Sequence, residues 1–259
     1  MKGLYLIPDK DNLEESLKFI EENEAACEYN DFFLPHILDD KKKQLEIIAS
    51  YAKRRTDFSM DTMHGAFLDV TVHSVDPKVR EASELRVRQS MEIAKEMGLR
   101  GVVFHTNRLY GFRDENYLKN WTSTNQQFFT KICEEYPDQQ IFLENMFDEA
   151  PDVLCRLAES MTDYDNFGVC LDYAHGAISG TPAEEWLKEL APYIKHMHIN
   201  DNDLKNDLHQ AIGTGLLDWK RFQQDMEKYQ IDASVLVEVS GIEKQKYSFE
   251  YMKREHILL

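Results

Sequence analysis

The chain reads as an α/β protein, a single closed (β/α)8 barrel, and three observations predict that fold. Eight short β-branched and aromatic runs alternate with longer stretches of helical spacing. A length of 259 residues suits one large barrel, or two ordinary domains, with a sizeable core. No composition shift, Pro/Gly/Ser linker or low-complexity tract interrupts the alternation, so residues 1–259 are expected to form one domain. The rival architecture is an open doubly wound sheet, which wants a glycine-rich phosphate turn after its first strand. "LIPDKDNLEE" carries no such turn, and no dinucleotide-binding motif follows later in the chain.

Each strand is expected where apolar, β-branched or aromatic residues cluster. They are "GLYLIP" at 3–8, "AACEYN" at 25–30, "FSMDTMHG" at 58–65 and "GVVFHT" at 101–106. "QIFLEN" at 140–145, "FGVCLDY" at 167–173, "IKHMHIN" at 194–200 and "SVLVEVSG" at 234–241 complete the set. Between the third and fourth strands, "VREASELRVRQSMEIAKEMG" sets Leu85, Val87, Met91, Ile93, Ala94 and Met97 near one helical face. Asp76 supplies that helix with an N-cap, Pro77 fits its first position, and Gly98 is expected to stop it. In "TPAEEWLKEL" the Thr181 to Glu184 spacing predicts a capping box, and Asp218 is expected to cap the helix after "GTGLLDW".

Hydrophobic residues make up 42% and charged residues 30%, as in an ordinary soluble globular protein. The apolar run at the amino terminus is too short for a signal peptide and meets acidic residues at once. No later segment approaches transmembrane length, so a cytoplasmic protein without membrane contact is expected. Cys27, Cys133, Cys155 and Cys170 show no ligand spacing, which predicts four buried thiols in a reducing compartment. A formal charge of −17 disfavours a nucleic-acid partner, because that binding leans on Lys and Arg to neutralise phosphates.

Barrel chemistry sits at the C-terminal ends of the strands, so residues there that bind metal or move protons are the candidates. His64 ends the third predicted strand, His105 the fourth, Glu144 the fifth and Asp172 the sixth, with His175 three residues later. The seventh gives His198, followed in its loop by Asp207 and His209, and the eighth gives Glu238. One ionisable residue at a strand end has a bland explanation, since strand ends are wet. Glu144 and Glu238 differ because they stand inside apolar runs, where an unpaired carboxylate costs several kcal/mol unless a cation or proton offsets it. With Asp172 and His198 they form an oxygen-rich set with one nitrogen, suited to Mn2+, Co2+, Mg2+ or Zn2+.

These residues and their motifs resemble the xylose isomerase-like barrel superfamily. The resemblance is carried in order by "HG", "FHTN", "FLEN", "LDYAHG", "HMHINDND", "DLH", "GTGLLDW" and "VEVSG". In the isomerase and epimerase branch it implies one divalent metal ion on Glu144, Asp172, His198 and Glu238. It also implies that Glu144 and Glu238 exchange the proton beside a carbonyl, through a cis-enediolate, on a small carbohydrate substrate. His175 would bond a substrate hydroxyl. The endonuclease IV branch implies three zinc ions: the first on His64, His105 and Glu144, the second on Glu144, Asp172, His198 and Glu238, the third on His175, Asp207 and His209. All these ligand types are present. The charge of −17 and the few cations near the strand ends (Lys10, Arg108, Arg113 and Lys205) favour sugar chemistry over a DNA phosphodiesterase. A barrel that only binds sugar, with catalysis lost, is a third reading, against which stand the two carboxylates.

Weaker features take bland readings. His196 is expected to pack or hydrogen-bond below His198, and Asp201 and Asp203 to be solvated or capping residues. Gly213, Thr214 and Gly215 are read as a turn, not as a phosphate cradle. Phe67, Tyr110, Phe112, Trp121, Phe147 and Tyr173 are read as core or rim packing, and His36, His73 and His256 are given no role.

Overall fold

The structure, a computed structural model, describes residues 3–258. Eight parallel strands close into a barrel in sequence order, each next to the one before it. In chain order the elements begin β1 (Leu4–Leu6), α1 (Leu13–Glu22), β2 (Ala26–Tyr29), α2 (Pro35–Leu38), α3 (Lys41–Ala52), β3 (Thr62–His64) and α4 (Pro77–Met97). They continue with β4 (Gly101–His105), α5 (Glu115–Glu135), β5 (Gln140–Glu144), α6 (Asp152–Ser160), β6 (Phe167–Asp172) and α7 (Tyr173–Ile178). The last are α8 (Ala183–Leu190), β7 (Ile194–Ile199), α9 (Trp219–Lys228), β8 (Ser234–Val237) and α10 (Ile242–Glu255). All eight strands fall inside the runs where the sequence puts them. No helix among the described residues is long and apolar enough to cross a membrane.

The chain divides into two compact units. One holds Glu28–Glu144 and Val153–Gly168. Here β3, β4 and β5 pair in parallel, with His64 opposite Val103 and His105 opposite Glu144. Its core is built from Val87, Met91 and Ala94 of α4 with Trp121, Phe128, Phe129 and Ile132 of α5, all buried. Asp76 caps α4 as expected, accepting from the Lys78 N–H. Gly98 ends it with φ of 71°, a left-handed conformation that glycine takes without steric cost. Leu85, placed by the sequence reading on the buried face, is instead 53% exposed. Two residues span about 200° of helix, so Leu85 and Val87 point in nearly opposite directions. The third strand is also shorter than its run, because residues 58–61 form a turn closed by the Asp61 N–H on the Phe58 carbonyl.

The other unit comprises the segments up to Cys27, Asn145–Asp152 and from Val169 onward. Its strands β6, β7, β8 and β1 pair in parallel, with Asp172 opposite His198 and Ile199 opposite Val237. Tyr173, Trp219 and Phe222 pack as a ring cluster with centroids 4.7 to 6.0 Å apart. Asp218 caps α9 as expected, through the Arg221 N–H. The capping box at Thr181 does not form: Pro182 stands at the N-cap of α8, and the Thr181 hydroxyl donates to the Glu149 carbonyl. Cys27, Cys133 and Cys170 are buried thiols, whereas Cys155 is half-buried.

Burial also sets one pH dependence. His73, after β3, is 7% exposed beside the rings of Tyr117 and Trp121, and desolvation depresses its pKa to about 4. The unfolded chain takes up that proton near pH 6.5 while the folded chain does not. The stability is therefore full above pH 6.5 and is lost as pH falls toward 4. Replacing His73 with Leu should spare the protein roughly 2–3 kcal/mol of the loss between pH 7.5 and 4.5. Urea midpoints of both proteins at the two pH values check this; parallel losses would refute it.

Candidate active site

In the unit holding β3, β4 and β5, three neighbouring strands end in His64, His105 and Glu144. Strand side chains alternate between faces, so residues in register share a face, and His105 and Glu144 are in register. His105 Nε2 lies 3.3 Å and His64 Nε2 3.6 Å from the same Glu144 oxygen, and the two ring nitrogens stand 2.9 Å apart. His64 Nδ1 donates to the Gly65 carbonyl at 3.0 Å, which turns its Nε2 toward the other two groups. Desolvation lowers the His64 pKa, but the hydrogen bond and charge of Glu144, with the charge of buried Glu28, raise it overall. Phe67 lies against both imidazoles, its ring centroid 4.9 Å from His64 and 4.5 Å from His105, and restricts their rotation.

In the other unit, Asp172 ends β6, His198 stands beside it in β7, and Glu238 follows β8 by one residue. The sequence reading put Glu238 within the last strand; β8 ends at Val237, yet the Glu238 N–H still bonds the Ile199 carbonyl of β7. One ligand atom from each of Asp172, His198 and Glu238 lies within 4.8 Å of the others, and all three residues are buried. His198 Nδ1 is 3.5 Å from a Glu238 oxygen. Asn145, given no role from sequence, fixes this corner. Its side chain accepts from the Asp172 N–H at 2.8 Å and donates to the Asp172 carbonyl at 3.0 Å. Asp172 caps α7 through the His175 N–H at 2.6 Å, so one carboxylate ends a strand and starts a helix.

A third group gathers in the same unit. His175 Nδ1 donates to the Asn145 carbonyl, which turns Nε2 toward Asp207 at 3.3 Å. The same Asp207 oxygen is 3.2 Å from His209 Nε2, and His209 Nδ1 donates to the Glu238 carbonyl. Burial raises the Asp207 pKa, yet the two imidazoles outweigh it and hold that carboxyl below the ordinary range. Burial lowers His209, and Asp207 and Glu238 outweigh that in turn, raising it to about 10. Negative charge that holds a proton this firmly suits a divalent cation as well. Oxygen and imidazole ligands, partly desolvated and oriented by second hydrogen bonds, fit such an ion.

The loop after β7 delivers Asp207 and His209. Asp201 and Gln210 exchange both backbone hydrogen bonds, closing residues 201–210 into an excursion. Asp203 organises its tip, accepting from the N–H groups of Lys205 and Asn206, as expected for a turn residue. Asp201 was expected to be solvated or capping and is fully buried instead. Its carboxylate accepts from the N–H groups of Asn202, Gly213 and Leu217 and from the Trp219 indole. Gly213 to Gly215 form a turn, Gly213 with φ of 86°. His196 is buried below His198, bonded to Ser234 Oγ at 2.6 Å, as read from sequence. With Cys170 and His198 it also brings three ligand atoms within 4.8 Å. Trp121 and Tyr173 are core residues, whereas Tyr110 and Phe112 are 70% and 46% exposed.

Residues 23–255 match a family model described as a xylose isomerase-like TIM barrel. An uncharacterised protein of Methanocaldococcus jannaschii, MJ1311, is 27% identical over 204 residues, covering 74% of this chain and 68% of that protein. A probable endonuclease 4 of Aquifex aeolicus is 24% identical over 223 residues, covering 77% and 78%. Among solved structures, a D-tagatose 3-epimerase-like protein superposes with a TM-score of 0.74 at 22% identity, over 98% of this chain and 97% of that one.

Proposed function

We propose, since the chain belongs to the xylose isomerase-like TIM barrel family, that it is a metal-dependent isomerase or epimerase. Its substrate would be a small ketose, polyol-derived ketone or hydroxy-keto acid. The observation that carries the reading is the buried convergence of Asp172, His198 and Glu238 at the ends of consecutive strands. In the proposal Glu144, from the strand next to β6 in the barrel order, completes the metal ligands. A bound Mn2+, Co2+, Mg2+ or Zn2+ ion would supply the Lewis acidity that makes a C–H beside a carbonyl removable. Glu144 and Glu238 are assigned the proton transfers: one carboxylate takes the proton to give a cis-enediolate, the other returns one from the opposite face. His175 is assigned a substrate hydroxyl. The one-domain organisation over 1–259 belongs to the proposal, supported by a sheet that closes only with all eight strands. So does a cytoplasmic location, supported by four free cysteines.

A second reading, a zinc phosphodiesterase acting on DNA, is favoured by one observation. His64, His105 and Glu144 form a ligand group, and so do His175, Asp207 and His209, each with ligand atoms within 4.8 Å. The charge of −17 weighs against it. Metal content per chain, by elemental mass spectrometry on protein purified without chelator, separates the two. One ion, lost in Glu238→Ala, is the expected result. Two or three zinc ions would shift the assignment to phosphodiester hydrolysis, and no metal after supplementation would overturn the mechanism.

A further inference from the structure

We infer that Asn200 binds the substrate through two adjacent oxygens of a polyol, and that the substrate is unphosphorylated at that edge; the inference rests on the sugar reading above. Side-chain alternation along β7 puts His196 and His198 on the inward face with Ser234 and Glu238, and continued past the strand it puts Asp201 on the outward face with Trp219. Asn200, the residue after β7, continues the inward set one step beyond His198. The β7–β8 register runs His198 to Leu236 and Ile199 to Val237. The Glu238 N–H on the Ile199 carbonyl carries that register on and puts Asn200 beside Glu238.

Asn200 is fully buried, and neither its Nδ2 nor its Oδ1 has a hydrogen-bond partner among the described residues. Its neighbours in type differ. Asn145 grips both sides of Asp172, and Asn202 donates to the Ala174 carbonyl and accepts from the Leu204 N–H. Those two serve the fold. A buried carboxamide that serves no protein partner costs free energy, and the cost persists where a ligand recovers it.

The amide edge states what that ligand is. It presents one N–H donor beside one carbonyl acceptor, so it complements two adjacent oxygens of which one accepts and the other donates its hydroxyl proton. A vicinal diol or an α-hydroxy ketone has that pattern. A phosphate edge offers acceptors alone, and its second oxygen would face Oδ1 lone pair to lone pair.

The test uses the metal-loaded full chain, with D-tagatose and D-fructose as probes in isothermal titration. Asn200→Leu keeps the branched four-atom outline of the side chain and removes the amide. Ketose Kd should rise about 10- to 100-fold, while metal content holds and the thermal midpoint stays level or rises. A structural role would lower that midpoint. Monodeoxy analogues lacking the contacted hydroxyl should lose a similar factor on the natural protein and nothing more on the variant. Asn200→Ser gives the same comparison should the leucine variant not fold. Unchanged ketose affinity in the variants, or fully additive losses, would overturn the inference alone. A natural protein that ignores both ketoses but binds abasic duplex would sink the sugar reading and this inference with it.

Discussion

Glu144→Gln should lower turnover by at least about 10³-fold while leaving the barrel folded. The substitution keeps the shape of the side chain and removes both its charge and its capacity to take a proton. Under the proposed mechanism, loss of a general base alone accounts for about 10²- to 10⁴-fold, and loss of the proposed carboxylate ligand would weaken metal binding besides. The fold is expected to survive because the main-chain roles of Glu144 are untouched: it stays in register with His105, and its carbonyl still accepts from the Thr106 N–H at 3.0 Å. One further effect isolates the electrostatics. Glu144 is the principal influence raising the His64 pKa against desolvation, so the metal-free variant should show His64 titrating lower by NMR. Turnover is read as solvent-deuterium incorporation beside the carbonyl at saturating metal, and the fold by circular dichroism. Full activity in the variant would remove Glu144 from the chemistry.

The positions of the candidate residues were legible because they depend on local pattern. A strand has a period of two and a barrel exposes its strand ends, so His64, His105, Glu144 and Asp172 could be located by finding where the apolar runs stop. What escaped the reading depends on partners distant in sequence. Thr181 has the spacing of a capping residue, but its hydroxyl is taken by Glu149, brought close by the loop after β5. Asn145 looked like the tail of "FLEN", and its task of holding both backbone groups of Asp172 emerges only when the ends of β5 and β6 have been laid down. Leu85 failed for a different reason. It is apolar, but two helical residues turn it about 200° away from Val87, onto the exposed face. Asp201 is the largest miss, since nothing in "NDND" distinguishes a buried organiser from a wet turn.

Asp201→Ala should destabilise the protein by about 4 kcal/mol or more, among the largest effects available outside the apolar core. Four donors converge on this carboxylate: three backbone N–H groups, of Asn202, Gly213 and Leu217, and the Trp219 indole at 2.9 Å. Hydrogen bonds to a charged acceptor contribute about 1.5–3 kcal/mol each, and a buried donor left unmatched adds a desolvation cost. The surroundings cannot collapse to compensate. Gly215 packs so closely that a Cβ there would stand 2.3 Å from the Asp201 oxygen, so the turn is shaped around the carboxylate. Asp201→Asn keeps acceptor capacity on one oxygen and should cost about half as much. The damage should also reach the site, because Asp201 anchors one end of the excursion that presents Asp207 and His209. Urea unfolding gives the stability, and hydrogen exchange across residues 201–217 locates the loss. A change under about 1 kcal/mol would mean that the loop holds its shape without this carboxylate, and Asp207 and His209 would then owe their placement to the histidine contacts alone.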